Sequence, residues 1–295
     1  MRGILLKPLR EGDTIGIVAP SSPLQQEDIE KGIGFLQQLG FNLKLGAHLY
    51  ERDRFLAGSD EKRAQDVMNF FADSSVQAIF VARGGQGSQR ILPLLDYSII
   101  SKNPKKLVGF SDTTALQLGL FKQSNLVSYS GYTLTTKTTP LLEKTLLACL
   151  TDEAFQINEG EVGNPGIVRG ILVGGNLSLL TSLIGTPYQP NFKKTILLLE
   201  DVNIEPYNVD RMLSHIDLAG IFNQVSGVIF GQFENCFSES TPADGSITQV
   251  IHEWIGRLSV PCIKDFPYGH GIRKCVVPIG REILLDADSV CVSVE

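Results

Sequence analysis

Long apolar runs are missing from this 295-residue chain, and with them the roughly 20-residue stretches needed to span a bilayer. Basic clusters are missing too. Lys and Arg total 26 against 32 Asp and Glu, for a net charge of −6 and a pI near 5.3, which argues against nucleic acid or an anionic membrane as a partner. Cysteine is scarce: Cys149, Cys236, Cys262, Cys275 and Cys291 make an odd five with no C-x-x-C pair. Packing thiols in a reduced, cytoplasmic protein are the expectation. The opening MRGILLKPLREGD has only a short apolar stretch, broken by Lys7, Arg10 and Glu11, so no signal peptide is expected. Histidine is limited to four residues. His252-Glu253 begins an H-E-x-x-H, but Gly256 stands where the second histidine belongs, so no metal site is expected. What is present is ordinary globular material, 43% hydrophobic and 20% charged, enough for one large domain or two modest ones.

The first half alternates strands and helices. TIGIVAP (14–20) is a β-branched run ending at Pro20, and Ile29, Ile33, Leu36 and Leu39 then share one helical face closed by Gly40. A strand at 41–46, a helix at 60–72, AIFVA (78–82), a helix carrying Ile91, Leu94 and Leu95, KLVGF (106–110) and a helix at 112–122 follow. That alternation predicts an α/β domain with a doubly wound, mostly parallel sheet of flavodoxin or Rossmann type over 1–150. The acidic, Gly/Pro-containing stretch 151–168 has no sustained period and reads as a linker. A smaller mixed α/β domain with short strands is expected over 169–295. It holds a glycine-opened helix at 174–185, a strand at 195–199 and an amphipathic helix at 208–222. The region VSGVIFGQF, a helix near 247–258 and strands at 260–264, 281–286 and 289–294 complete it.

Three side chains fall where chemistry collects in such sheets. Ser111, in Gly109-Phe110-Ser111-Asp112-Thr113, sits between a buried strand and a helix. A serine there is either a helix N-cap or a nucleophile on a sharp turn, with the next backbone N–H facing an oxyanion. Thr113 departs from the second glycine of G-x-S-x-G. His270 lies in PYGHGI between two glycines, either a plain loop histidine or an imidazole able to act as a general base. Glu200 ends TILLLE, either a polar strand exit or a carboxylate that holds a histidine in one tautomer. His215 and His252 fall in predicted helices, and His48 ends a strand without polar company. The loop RGGQGSQR resembles a dinucleotide loop, but Arg90 occupies the third glycine position and no Gly-Lys-Ser/Thr is present. No nucleotide cofactor is expected, and the loop's N–H groups suit an oxyanion instead.

Taken together, AIFVARGGQGSQRILPLLD, LVGFSDTTAL, GGNLSLLTSLIGTPY, ILLLEDVNIEPYNVDRML and FPYGHGIRKCVVPIG resemble the LD-carboxypeptidase family, in order and over residues 12–286. The resemblance implies a serine peptidase with Ser111 as nucleophile, Glu200 as acid and His270 as base. It implies an oxyanion hole from the backbone N–H groups of Asp112 and Gly85, and a homodimer. Its implied substrate is a cytoplasmic murein tetrapeptide that loses its terminal D-Ala, with no metal or cofactor. An exopeptidase also needs a cation for the terminal carboxylate. Arg83 is one candidate, with a structural ion pair as its alternative role. Two departures stand out: Ser130-Gly131-Tyr132 replaces a His-Gly-Pro segment common in the family, and Gln86 replaces a frequent aromatic. The competing substrate, an aminoacyl- or peptidyl-nucleotide toxin, belongs to microcin self-immunity relatives, which resemble this chain in motifs but stack tryptophans on the base. The single tryptophan here, Trp254, is expected to be core. A non-catalytic nucleotide- or peptide-binding module is the alternative of a different class.

Overall fold

A computed structural model describes residue 4, residues 6–237 and residues 245–295. The chain forms two compact units, one of residues 1–153 and 276–280 and one of residues 154–275 and 281–295. In the first, the elements run β1 (Thr14–Val18), α1 (Gln26–Gln38), β2 (Asn42–Leu45), α2 (Asp60–Ala72), β3 (Ala78–Val81), α3 (Ser88–Ile91), α4 (Tyr97–Lys102), β4 (Lys106–Gly109), α5 (Thr114–Ser124), β5 (Ser128–Ser130) and α6 (Pro140–Thr151). The sheet order is β2-β1-β3-β4-β5, all parallel, so the winding reverses between β1 and β3. Ligands of such sheets bind at that switch point, beyond the carboxyl ends of the strands. Ile15, Ile17, Ile79, Phe80, Val81, Leu107 and Val108 are fully buried, each contributing roughly 1.5–3 kcal/mol by leaving water. The helix α6 was not foreseen, although Thr139 caps it by accepting from Leu142 N–H and Pro140 opens it.

The second unit contains β6 (Phe155–Ile157), β7 (Glu161–Asn164), β8 (Ile167–Asn176), α7 (Leu177–Leu183), β9 (Thr195–Val202), α8 (Pro206–Leu218), β10 (Gly227–Glu234), α9 (Ile247–Arg257) and β11 (Cys262–Lys264). After β12 (Val277–Ile279), which pairs antiparallel with β5 in the first unit's sheet, come β13 (Glu282–Asp286) and β14 (Cys291–Val294). Its sheet order is β6-β14-β13-β8-β9-β10-β11-β7. A parallel centre of β8 to β11 is flanked by antiparallel pairs.

Three expectations are corrected. The stretch read as a linker supplies β6 and β7, both sheet-edge strands, whose partly exposed residues form no continuous apolar run in the sequence. The strands are not all short: β8 spans 10 residues and β9 and β10 span 8 each. Gly174 and Gly175 do not open a helix; they end β8, and α7 begins only at Leu177. Gly174 has φ 123°, and a Cβ there would stand 2.0 Å from the Leu198 carbonyl oxygen of β9. Glycine is therefore needed for backbone approach within the sheet, not for a helix start.

Candidate active site

In the first unit, β4 leads through extended Phe110 to Ser111. Ser111 opens a one-turn 3-10 helix, whose N-cap is Phe110, and α5 follows. The N-cap alternative for Ser111 is thus not what the chain adopts. Its φ of 64° places a residue with a side chain in left-handed backbone, a strained state that clusters at functional sites. Thr113, the departure from the usual small residue, fits because its Oγ1 donates to the Phe110 carbonyl at 3.0 Å. A Cβ at Gly109 would meet that same Oγ1 at 2.5 Å.

The Asp112 side chain does work that sequence reasoning missed. It is 1% exposed and accepts from Ser21 Oγ at 2.6 Å, Gly87 N–H at 3.1 Å and Ser88 N–H at 2.8 Å. Ser88 Oγ donates back to the Asp112 carbonyl at 2.5 Å. One buried carboxylate therefore ties the serine turn to the glycine loop after β3 and to the chain leaving β1. Buried Arg63 adds a second clamp, donating to the carbonyls of Pro20 and of Gly87, the latter at 2.9 Å. Asp112→Asn is expected to lower stability by about 1–3 kcal/mol, because an amide nitrogen would face buried N–H donors; a urea unfolding midpoint checks this.

Gly84 and Gly85 contact different neighbours. A Cβ on Gly84 would lie 3.0 Å from Ser111 Cβ, and one on Gly85, at φ 121°, would lie 2.2 Å from Ser22 Oγ. Ser22 Oγ also accepts from Gln86 N–H at 3.0 Å. Arg83 is half-buried, donates to the Pro23 carbonyl at 3.0 Å, and makes no ion pair among the described residues, so its structural ion-pair role is not realised.

In the second unit, Glu200 and His270 meet. Glu200 lies on β9 opposite Asn176 of β8 and is 0% exposed. Its Oε2 is 2.8 Å from His270 Nδ1, while Asn176 Nδ2 donates to Oε1 at 3.2 Å and to Asp201 Oδ1 at 3.0 Å. Burial raises the Glu200 carboxyl above its ordinary 4.5, and the His270 hydrogen bond is the largest opposing effect. A carboxylate in this place makes Nδ1 the donor and leaves Nε2 as the imidazole's basic nitrogen. Asn176 was not singled out in the sequence, and its signal was a local one: it caps α7 by accepting from Leu179 N–H.

Of the two glycines around His270, Gly269 has φ 143°, a backbone state that favours glycine. The chain before His270 runs along β10, with Gln232 N–H donating to the Tyr268 carbonyl at 2.8 Å. A Cβ on Gly231 would strike that backbone carbonyl oxygen at 2.2 Å, whereas one on Gly271 would meet only the movable side-chain ends of Gln232 and Glu234. His270 itself remains partly exposed, at 23% of its side chain. His215 and His252 lie in α8 and α9 as expected. His48 does have polar company, its Nδ1 lying 2.9 Å from Glu51 Oε1. Trp254 is 2% exposed and donates to Asp210 at 2.8 Å. Among the described residues, no cluster of three or more His, Cys, Asp or Glu side chains is arranged to hold a metal ion, and no helix is long and apolar enough to cross a membrane.

Comparison with known families matches residues 15–131 to the LD-carboxypeptidase N-terminal domain and residues 169–285 to the LD-carboxypeptidase C-terminal domain. The chain belongs to the LD-carboxypeptidase family. It is an enzyme, a hydrolase of the carboxypeptidase class. A probable murein peptide carboxypeptidase of Bacillus subtilis strain 168 is 34% identical over 290 residues, covering 95% of this chain and 91% of the relative. Among solved structures, muramoyltetrapeptide carboxypeptidase from Oxalobacter formigenes superposes with a TM-score of 0.86 at 28% identity, over 95% of this chain and 97% of that one. The microcin immunity protein MccF in complex with glutamyl sulfamoyl guanosine superposes with a TM-score of 0.90 at 26% identity, over 98% of each chain. Family membership removes the non-catalytic binding module from consideration.

Proposed function

We propose that this enzyme is a cytoplasmic serine LD-carboxypeptidase that removes the terminal D-Ala from murein tetrapeptides. The observation that carries the reading is the buried Glu200 carboxylate 2.8 Å from His270 Nδ1, in a chain whose Ser111 occupies a strained strand-to-helix turn. In this mechanism His270 Nε2 takes the proton from Ser111 Oγ, which attacks the carbonyl joining the L-centre to the terminal D-residue. The oxyanion is held by the N–H groups of Asp112 and Gly85, each such donor lowering the barrier by roughly 2.7–4 kcal/mol. The C–N bond breaks as His270 returns the proton to the leaving D-Ala amine, and water then hydrolyses the acyl-serine by the same route. The murein-peptide relative supports the substrate class, and Arg83 is assigned as a cation for the terminal carboxylate. A homodimer belongs to the same reading, with light scattering as its check.

The MccF likeness supports a second substrate class, the aminoacyl-nucleotide conjugates. Trp254 offers it little, being buried and hydrogen-bonded to Asp210. Mass spectrometry of a murein tetrapeptide with EDTA present decides between the two. Loss of one D-Ala is the expected result. An intact tetrapeptide together with cleavage of an aspartyl sulfamoyl adenosine would replace the murein reading by the nucleotide one.

A further inference from the structure

We infer that a pocket in the first unit, at the carboxyl ends of β1 and β3, anchors the free C-terminal carboxylate of the peptide through Arg83 and Arg52, an inference that rests on the carboxypeptidase reading above. The cavity measures about 290 Å³, and Ser22, Pro23, Arg52, Phe55 and Arg83 line it. It sits at the β1/β3 switch point, where sheets of this winding take their ligands.

Charge and geometry select the ligand. Arg83 and Arg52 bring two guanidinium groups to the cavity, and among the described residues neither is ion-paired, unlike Arg63 and Arg90 of the same unit. Their bonds to carbonyls, Arg83 Nη1 to Pro23 at 3.0 Å and Arg52 Nε to Arg54 at 3.3 Å, occupy one nitrogen of each. The rest of each planar fork matches a carboxylate. Asp28 also borders the cavity, but its Oδ2 is engaged by Gln25 N–H at 2.8 Å. Phe55 gives the wall an apolar surface for a small side chain.

The spacing from the serine turn fits a terminal residue. Gly84 abuts Ser111, and the next residue, Gly85, abuts Ser22 of the pocket wall. A C-terminal residue likewise places its carboxylate carbon three bonds, roughly 3–3.7 Å, beyond the scissile carbonyl carbon. A peptide whose scissile carbonyl lies at Ser111 thus carries its terminal carboxylate along the glycine pair toward the arginines.

The test uses a murein tetrapeptide ending in D-Ala and the same peptide with a C-terminal amide. Calorimetry on Ser111→Ala protein reads binding, and D-Ala or D-alaninamide release by wild type reads turnover. The free acid is expected to bind about tenfold to a hundredfold more tightly than the amide, the worth of hydrogen bonds to a charged group. Arg83→Gln should erase that preference, Arg52→Gln should weaken it, and Arg83→Lys should restore part of it. Urea midpoints equal to that of the parent protein show the variants folded. Equal binding of acid and amide, binding of neither, or a preference that survives both glutamine variants overturns the anchor. Acid preference without any D-Ala release by wild type leaves the anchor standing and overturns the carboxypeptidase substrate instead.

Discussion

Ser111→Ala is expected to reduce kcat for D-Ala release by about 10⁴- to 10⁶-fold with little change in KM, the pattern for loss of an attacking atom. The hydroxyl makes the bond that defines the acyl-enzyme, whereas ground-state binding belongs to other groups. Stability should hardly change, because alanine keeps the Cβ and with it the strain of φ 64°. Ser111→Gly separates the two effects. It is equally inactive, yet relief of the left-handed strain should raise stability by about 1 kcal/mol. Steady-state kinetics beside urea unfolding of both variants checks this, and a Ser111→Ala protein with wild-type turnover would exclude Ser111 as nucleophile.

Glu200→Gln is expected to cost about 10⁴-fold in kcat near neutral pH. Glutamine presents one oxygen and one NH2 group where His270 Nδ1 and Asn176 Nδ2 approach from two sides. With the amide oxygen toward Asn176, the NH2 group faces His270 and forces its proton onto Nε2, the atom that must accept one. With the oxygen toward His270, two NH2 groups oppose each other in a buried place.

Stability should move the other way as pH rises. Burial holds the Glu200 carboxyl above its ordinary 4.5, so the folded protein binds that proton more tightly than the unfolded chain does. In the window from 4.5 up to the raised value, the folded state carries the extra proton, and stability falls as pH rises through it. Glutamine does not titrate. The variant's urea midpoint is therefore expected to gain on wild type between acid and neutral pH while activity is lost. A midpoint difference that is flat with pH would remove the burial argument.

Periodicity made much of the first unit legible. The predicted helix 60–72 coincides with α2 (Asp60–Ala72), and the runs read as strands at β1, β3 and β4 all form strands. Parallel strands buried on both faces write themselves as continuous apolar runs, and helices between them repeat every 3.6 residues. The second unit was less legible because its irregular points answer to distant partners. Gly174 is glycine for the sake of Leu198, and Gly231 for the sake of Tyr268, neither of which a local window contains. The short strands β6 and β7 lie at the edges of the sheet and are partly exposed, so no continuous apolar run marks them, unlike the equally short but fully buried β3 and β4.

The same division runs through the site. By itself the sequence determined the α/β class, the serine between strand and helix and the histidine between glycines, because each is a local pattern of burial, turn and residue type; it read Glu200 as the end of its strand, whereas β9 runs on to Val202. Only the tertiary structure decided that Glu200 lies 2.8 Å from His270 across 70 residues of chain, and that burial raises its carboxyl. It alone decided that Asp112 locks the serine turn to the glycine loop, and that Arg83 and Arg52 line one cavity. Hydrogen bonds and desolvation act through space over a few ångströms, whereas the order of residues along the chain records only neighbours in sequence.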